Sequence, residues 1–274
     1  MFNTMTAIRS AGGPFVWSGT FPILPASEAA LVQWLGIDGS ISADISANNH
    51  LWELKNPTTS DPDIGTLSTA NWALTNLNPS QTTDPDFGGG SRNMLRLVNS
   101  NDSHLATVSN RIPALQEGQT SWLVGVVLKF KNNAPGLQYK HIANHHQSGF
   151  GWYIYRDSVS GALGATVDWG ATIQQGFGAA VAEETPLLLL VNFDFAMGVI
   201  DMITPWNHNS YAVLTDIGQF SNNASFRLGW VGFNASIVAD MALAFVVEYP
   251  AGTNSGIGAA NIENFLKYTD GVLT

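Results

Sequence analysis

The sequence predicts an all-β protein folded as a two-sheet antiparallel sandwich, and three observations predict it. Short apolar or alternating runs rich in Val, Ile, Leu, Phe, Trp and Tyr recur along most of the 274 residues, separated by Gly, Asn, Asp and Pro. Helical periodicity is confined to one stretch near the C-terminus. Hydrophobic residues make up 45% and aromatics 11%, enough for a packed core. Many strands with so little helix are best buried by laying two sheets face to face.

Residues 1–30 read as an extended N-terminal arm, rich in Gly, Pro and Ser and without periodicity, yet carrying Phe2, Phe15, Trp17 and Phe21. Exposed aromatics on a loose segment are costly unless they dock, so the arm is expected to pack on its own domain or on a partner. Residues 31–274 form the sandwich, opening with a strand at 31–37. A long loop-like insert follows at 56–93, with an internal echo: TSDPDIG at 59–65 and TTDPDFG at 82–88. Each copy sets two carboxylates around a proline, Asp61 with Asp63 and Asp84 with Asp86. Paired oxygens on a turn suit calcium, and the same residues suit an Asp-Pro turn that caps nearby N–H groups. The fuller oxygen run of an EF-hand loop is missing.

The next strands are expected at 94–98, 121–130, 138–143, 150–155, 162–168, 187–193, 198–204, 210–214, 225–231 and 239–248. A short helix closes the chain at 258–271, GAANIENFLKYTDG. Asn261 serves as N-cap, Ile262, Phe265 and Leu266 lie on one face, and Gly271 ends it.

Charge narrows the function. Only 12% of residues are charged, so Asn, Ser, Thr, Gln and Gly must cover the surface, which suits contact with proteins or glycans. With 11 basic against 21 acidic residues, the chain offers little to a phosphate backbone, and nucleic acid is not an expected partner. The absence of cysteine removes disulfides and thiolate ligands. The apolar runs PLLLLV and MALAFVV are too short to span a membrane as helices. The opening residues lack the basic and apolar regions of a secretory signal, so synthesis in the cytoplasm is expected.

Half of the six histidines, His141, His145 and His146, fall within YKHIANHHQSGFGWYIYRD at 139–157. This reads as two strands joined by a polar turn, with His145 and His146 at the loop tip. Adjacent imidazoles do not readily converge with His141 without a helix, so a three-ligand metal site is not expected. For sugar binding the best exposed candidate is Trp206 in TPWNHNSY, with Asn207, His208 and Asn209 supplying donors and acceptors.

The order of segments resembles a laminin-G-like or concanavalin A-like domain. LVQWLGIDGSISADISANNHLWEL (31–54) is similar to its opening strand and turn. RNMLRLVNSNDSHLAT (92–107), TSWLVGVVLKF (120–130), SGFGWYIYRDSVSGALGATV (148–167) and EETPLLLLVNFDFAMGVIDMI (183–203) follow in the family order, and residues 225–271 match its closing strands and helix. The resemblance implies a jelly-roll of two antiparallel sheets but does not choose a function. Jelly-roll glucanases set carboxylates at alternate positions of one strand. Here Asp201 is isolated, Asp240 and Glu248 are far apart on one strand, and Glu183 and Glu184 are adjacent, so no enzyme is expected. Asp194 in VNFDF resembles an acid of calcium-dependent lectins, without the surrounding ligand pattern.

The resemblance extends to virion proteins of tailed bacteriophages. It implies a capsid decoration (cement) protein, made in the host cytoplasm, self-associating and bound to the major capsid protein or other virion proteins through the arm. The alternative is a carbohydrate-binding, lectin-like module that recognises cell-surface glycan, and the third reading is a polysaccharide-degrading enzyme. No cofactor is expected other than calcium at the Asp pairs.

Overall fold

The computed structural model describes residues 50–53, 72–76, 80–85, 94–97, 103–107, 120–131, 139–147, 150–169, 173–194, 198–204, 207–212, 226–229 and 238–250. The arm, the strand expected at 31–37 and the helix expected at 258–271 lie outside them.

Two antiparallel sheets form the sandwich that the sequence predicts. In chain order the strands are β1 (His50–Glu53), β2 (Trp72–Asn76), β3 (Ser80–Thr82), β4 (Met94–Leu97), β5 (Ser103–Thr107), β6 (Thr120–Phe130), β7 (Tyr139–Gln147) and β8 (Phe150–Asp157). They continue as β9 (Ala162–Trp169), β10 (Ile173–Ala180), β11 (Pro186–Asp194), β12 (Val199–Thr204), β13 (Asn207–Ala212), β14 (Phe226–Gly229) and β15 (Ala239–Pro250). The larger sheet runs β13-β12-β11-β6-β15-β4-β3, with β1 beside the far half of β15. The smaller runs β10-β9-β8-β7-β14-β5-β2. The segment expected to be one long loop contributes β2 and β3, one to each sheet. Strand β10, IQQGFGAA, has too few large apolar residues to stand out in sequence, and it forms because β9 offers a free edge.

Period-two alternation builds the core. Trp122, Val124, Val126, Leu128 and Phe130 of β6 project between the sheets, with Leu187, Leu189, Val191 and Phe193 of β11 beside them. The smaller sheet answers with Trp152, Ile154, Leu163, Ala165, Val167, Phe226 and Leu228, all fully buried. The Trp152 ring lies 5.2 Å from Phe193 and 5.9 Å from Phe226, so one indole ties both sheets together. Burying each such aromatic stabilises the fold by about 2–3 kcal/mol.

The opposite face of the larger sheet is also buried, and its polar groups are mutually satisfied. Arg96, Asp240 and Lys129 stand in one row across β4, β15 and β6. Arg96 donates to both Asp240 carboxylate oxygens at 2.6 and 2.7 Å, a bidentate pair. Lys129 Nζ donates to Asp84 Oδ1 at 2.9 Å, and Lys131 reaches Asp84 Oδ2 at 3.3 Å and also Glu184. On β11 and β12 the amide of Asn192 donates to Asp201 at 3.1 Å.

Candidate functional site

The outer face of the smaller sheet differs from that saturated surface. Strand pairing brings three rows of chemically active side chains together there. Arg227 of β14, Asn144 of β7, Tyr153 of β8 and Thr166 of β9 occupy directly paired positions. The adjacent row holds His146, Gly151 and Asp168, and the row on the other side holds His141, Tyr155 and Gly164. Alternation explains the gathering: Trp152 and Ile154 point into the core, so Tyr153 and Tyr155 must point out. A bulge between His141 and Ala143 resets the phase of β7, so that His141, Asn144 and His146 all share the outer face.

Two glycines shape this surface. Gly151 adopts φ 129°, and a Cβ there would lie 2.0 Å from the His145 carbonyl oxygen. Lacking a side chain, it leaves room for His146 and Asp168 to meet across β8. Gly164 seats the Tyr155 ring, which a Cβ would strike at 2.2 Å.

Tyr153 is the hub. Its ring centroid lies 4.8 Å from His141, 5.6 Å from His146 in an edge-on arrangement, and 5.9 Å from Tyr155. Tyr153, His146, Asp168 and Arg227 are partly exposed, while His141, Asn144, Tyr155 and Thr166 are buried beneath and beside them. His146 Nε2 and Asp168 Oδ2 are 3.3 Å apart, and with its proton on Nε2 the imidazole donates to the carboxylate. Burial lowers the His146 pKa, and the hydrogen bond to Asp168 only partly opposes it. His141 is pushed down to about 3 by burial, with the neighbouring His146 adding to the effect. Asn144 donates its amide to the Gly229 carbonyl at 2.7 Å. Its own Oδ1 and the Thr166 hydroxyl, both fully buried, have no hydrogen-bond partner among the described residues.

The expectation for the histidines is corrected in part. Strand β7 runs on to Gln147, pairing His145 with Trp152 and His146 with Gly151, so neither imidazole sits at a loop tip. The sequence alone could not show that β8 stays in register to the end of β7. His145 is 1% exposed, its ring 6.1 Å from both Trp122 and Trp152. It projects to the core, opposite to His141 and His146, and the three cannot converge on one ion.

The other expected sites are distributed as follows. Asn207, His208 and Asn209 form the start of strand β13 rather than a loop, because they pair with Thr204, Ile203 and Met202. Trp206 lies outside the described residues, as do Phe2, Phe15, Trp17, Phe21, Asp61, Asp63 and Asp86. Asp84 is 2% exposed and directs its carboxylate at two lysine ammonium groups, which leaves it in an ion-pair role. Sequence reasoning missed Tyr153, Asp168, Arg227, Asn144 and Thr166. Their signal was a polar or aromatic residue at alternate positions of four apolar strands.

No family model matches the chain, and no curated protein matches it in sequence. Solved structures do match it in shape. The binding domain of Paraclostridial Mosquitocidal Protein 1 is similar at TM-score 0.59 and 10% identity, over 80% of this chain and 52% of that one. A structure of botulinum neurotoxin type C, whose cell entry depends on interaction with two ganglioside molecules, is similar at TM-score 0.53 and 14% identity, over 82% and 52%. Trypanosoma rangeli sialidase in complex with 2,3-difluorosialic acid gives TM-score 0.53 and 8% identity, over 80% and 32%. The chain spans about half the length of the toxin chains, at 52% of each. At these identities the likeness establishes a shared fold alone: the chain is a two-sheet antiparallel β-sandwich.

Proposed function

We propose that this chain is a carbohydrate-binding, lectin-like module and that the glycan lies on the outer face of the smaller sheet. One observation carries the reading: a partly exposed aromatic ring, Tyr153, is encircled by hydrogen-bonding groups on neighbouring strands. The apolar face of a sugar packs on such a ring, while its hydroxyls need donors and acceptors close by. His146, Asp168 and Arg227 supply both, from a rigid sheet that needs little ordering on binding. The low share of charged residues, 12%, suits a ligand whose own surface is neutral and hydroxyl-rich. The structural likeness to toxin binding domains supports the same reading.

Binding without turnover is the simplest use of this face. Hydrolysis by a carboxylate pair needs two acids roughly 5–9 Å apart around the scissile bond. Asp168 is engaged with His146, and Asp157, at the far end of β8, accepts from the N–H groups of Val159 and Ser160 in the next turn.

A glycan array tests the proposal. Several related glycans should bind the wild-type protein, and Tyr153→Ala should lose them while remaining folded; a protein that binds nothing across the array sinks it. Capsid decoration ranks second, because it rests on the arm at residues 1–30, which lies outside the described residues. That reading requires that removing residues 1–30 releases the protein from phage shells.

A further inference from the structure

We propose that the saccharide held on this face carries a carboxylate and that Arg227 binds it; the proposal rests on reading the face as a glycan site. The described residues include Arg96, Arg156 and Arg227. Arg96 holds Asp240 at 2.6 Å, and Arg156 lies 3.8 Å from Glu183. Arg227 differs from both. Its one hydrogen bond runs from Nη1 to the His146 backbone carbonyl at 3.1 Å, and no described carboxylate lies within ion-pair range. The remaining guanidinium donors are left for solvent or a ligand.

A guanidinium partly withdrawn from water, with no counter-ion, is an incomplete arrangement. Burial pushes Arg227 below its ordinary value, and no neighbouring acid acts to raise it. The larger sheet shows how this chain treats cations it does not offer to a ligand: Lys129 and Lys131 share Asp84, and Arg96 faces Asp240. Arg227 shares a row with Tyr153, so a sugar ring stacked on the tyrosine brings its substituents toward the guanidinium.

The geometry also selects the anion. A planar fork of donors matches a carboxylate with two parallel hydrogen bonds. A doubly charged phosphate would be disfavoured by Asp168 on the same face. The whole protein carries a formal charge of −10, so long-range attraction does not gather acidic ligands. At physiological salt that field is screened within about 8 Å, and recognition falls to the local contact. Uronic acids and sialic acids share the required group.

Calorimetric titration with an oligogalacturonide and with sialyllactose, each beside its methyl ester, tests the proposal. The ester keeps the sugar's shape and removes its charge, so the result does not depend on how a protein variant folds. At least one acid should bind about tenfold more tightly than its ester or better. Which acid does so identifies the sugar. Arg227→Gln, checked by thermal unfolding, should abolish the difference between acid and ester. If acid and ester bind alike, or only neutral glycans bind, the proposal for Arg227 falls and the glycan site stands. If no sugar binds at all, here or on an array, both fall.

Discussion

The two sheets present two outer faces of opposite character. On the larger sheet Arg96, Lys129 and Lys131 are matched against Asp84, Glu184 and Asp240, and Asn192 answers Asp201. On the smaller sheet, among the described residues, Asn144 Oδ1 and the Thr166 hydroxyl lack partners, and Arg227 lacks an acid. Both faces carry charge at strand positions that alternation turns away from the core, so composition does not distinguish them. Satisfaction does. A saturated polar network holds a fold together; on the smaller sheet the partly exposed Arg227, in one row with the partly exposed Tyr153, keeps donors for a ligand.

Breaking the saturated face should give the largest effect. Asp240 is fully buried, and removing it leaves Arg96 without its bidentate partner. Asp240→Ala should therefore lower stability by about 3 kcal/mol in urea titrations and leave glycan affinity alone. A loss below about 1 kcal/mol would mean that this face is less saturated than its geometry indicates.

Acid should act next, and on the other face. His141, held near pH 3 by burial, is neutral when folded, whereas an unfolded chain titrates it near 6.5. Between those values the unfolded chain binds the extra proton. The stabilising contribution is therefore complete above about pH 6.5 and declines as pH falls, reaching a loss of about 2 kcal/mol at pH 5. His146 shifts in the same direction, with Asp168 resisting and Arg227 assisting. Tyr153 and Tyr155 complete the ring of groups around these imidazoles. His141→Gln should flatten the urea-midpoint profile between pH 7 and 5. An unchanged slope would show that water reaches His141.

The fold was legible in the sequence wherever burial imposed a period. Strands β6, β8, β9, β11 and β15 follow from alternating or continuous apolar runs, and two sheets follow from their number. Trp122 and Trp152 were recognisable as core by the same alternation. Short strands without that pattern were not visible: β1, β2, β3, β5 and β10 exist because a neighbouring edge needs partners. The site was less legible still. Which polar residues share a face depends on strand order and on one bulge, and neither is written in local sequence. Tyr153 and Arg227 are 74 positions apart in the chain, and one row of pairing joins them through Asn144.

Removing the hub should cost binding rather than stability. Tyr153→Ala should weaken glycan binding about tenfold or more, since a stacked ring contributes roughly 1–2 kcal/mol. Its partly exposed position limits the stability loss to about 1 kcal/mol. A variant that unfolds, or that binds normally, removes Tyr153 from the site.

The smallest effect on the fold is expected at Asp168, and it gives the most direct comparison with Asp240. Both are carboxylates on outer faces, and each is paired with a basic side chain on another strand. Asp240 is fully buried against a permanent cation, whereas the Asp168 side chain is 15% exposed against an imidazole that burial keeps neutral near pH 7. Asp168→Asn therefore weakens its hydrogen bond to His146 rather than breaking an ion pair with a permanent cation, and should cost under about 1 kcal/mol of stability. Its carboxylate nevertheless accepts from sugar hydroxyls in the proposed complex, so the same change should weaken binding several-fold, as read by calorimetry. Equal stability losses for the two substitutions would erase the distinction between the faces, because it would show the smaller sheet's outer surface to be structural as well.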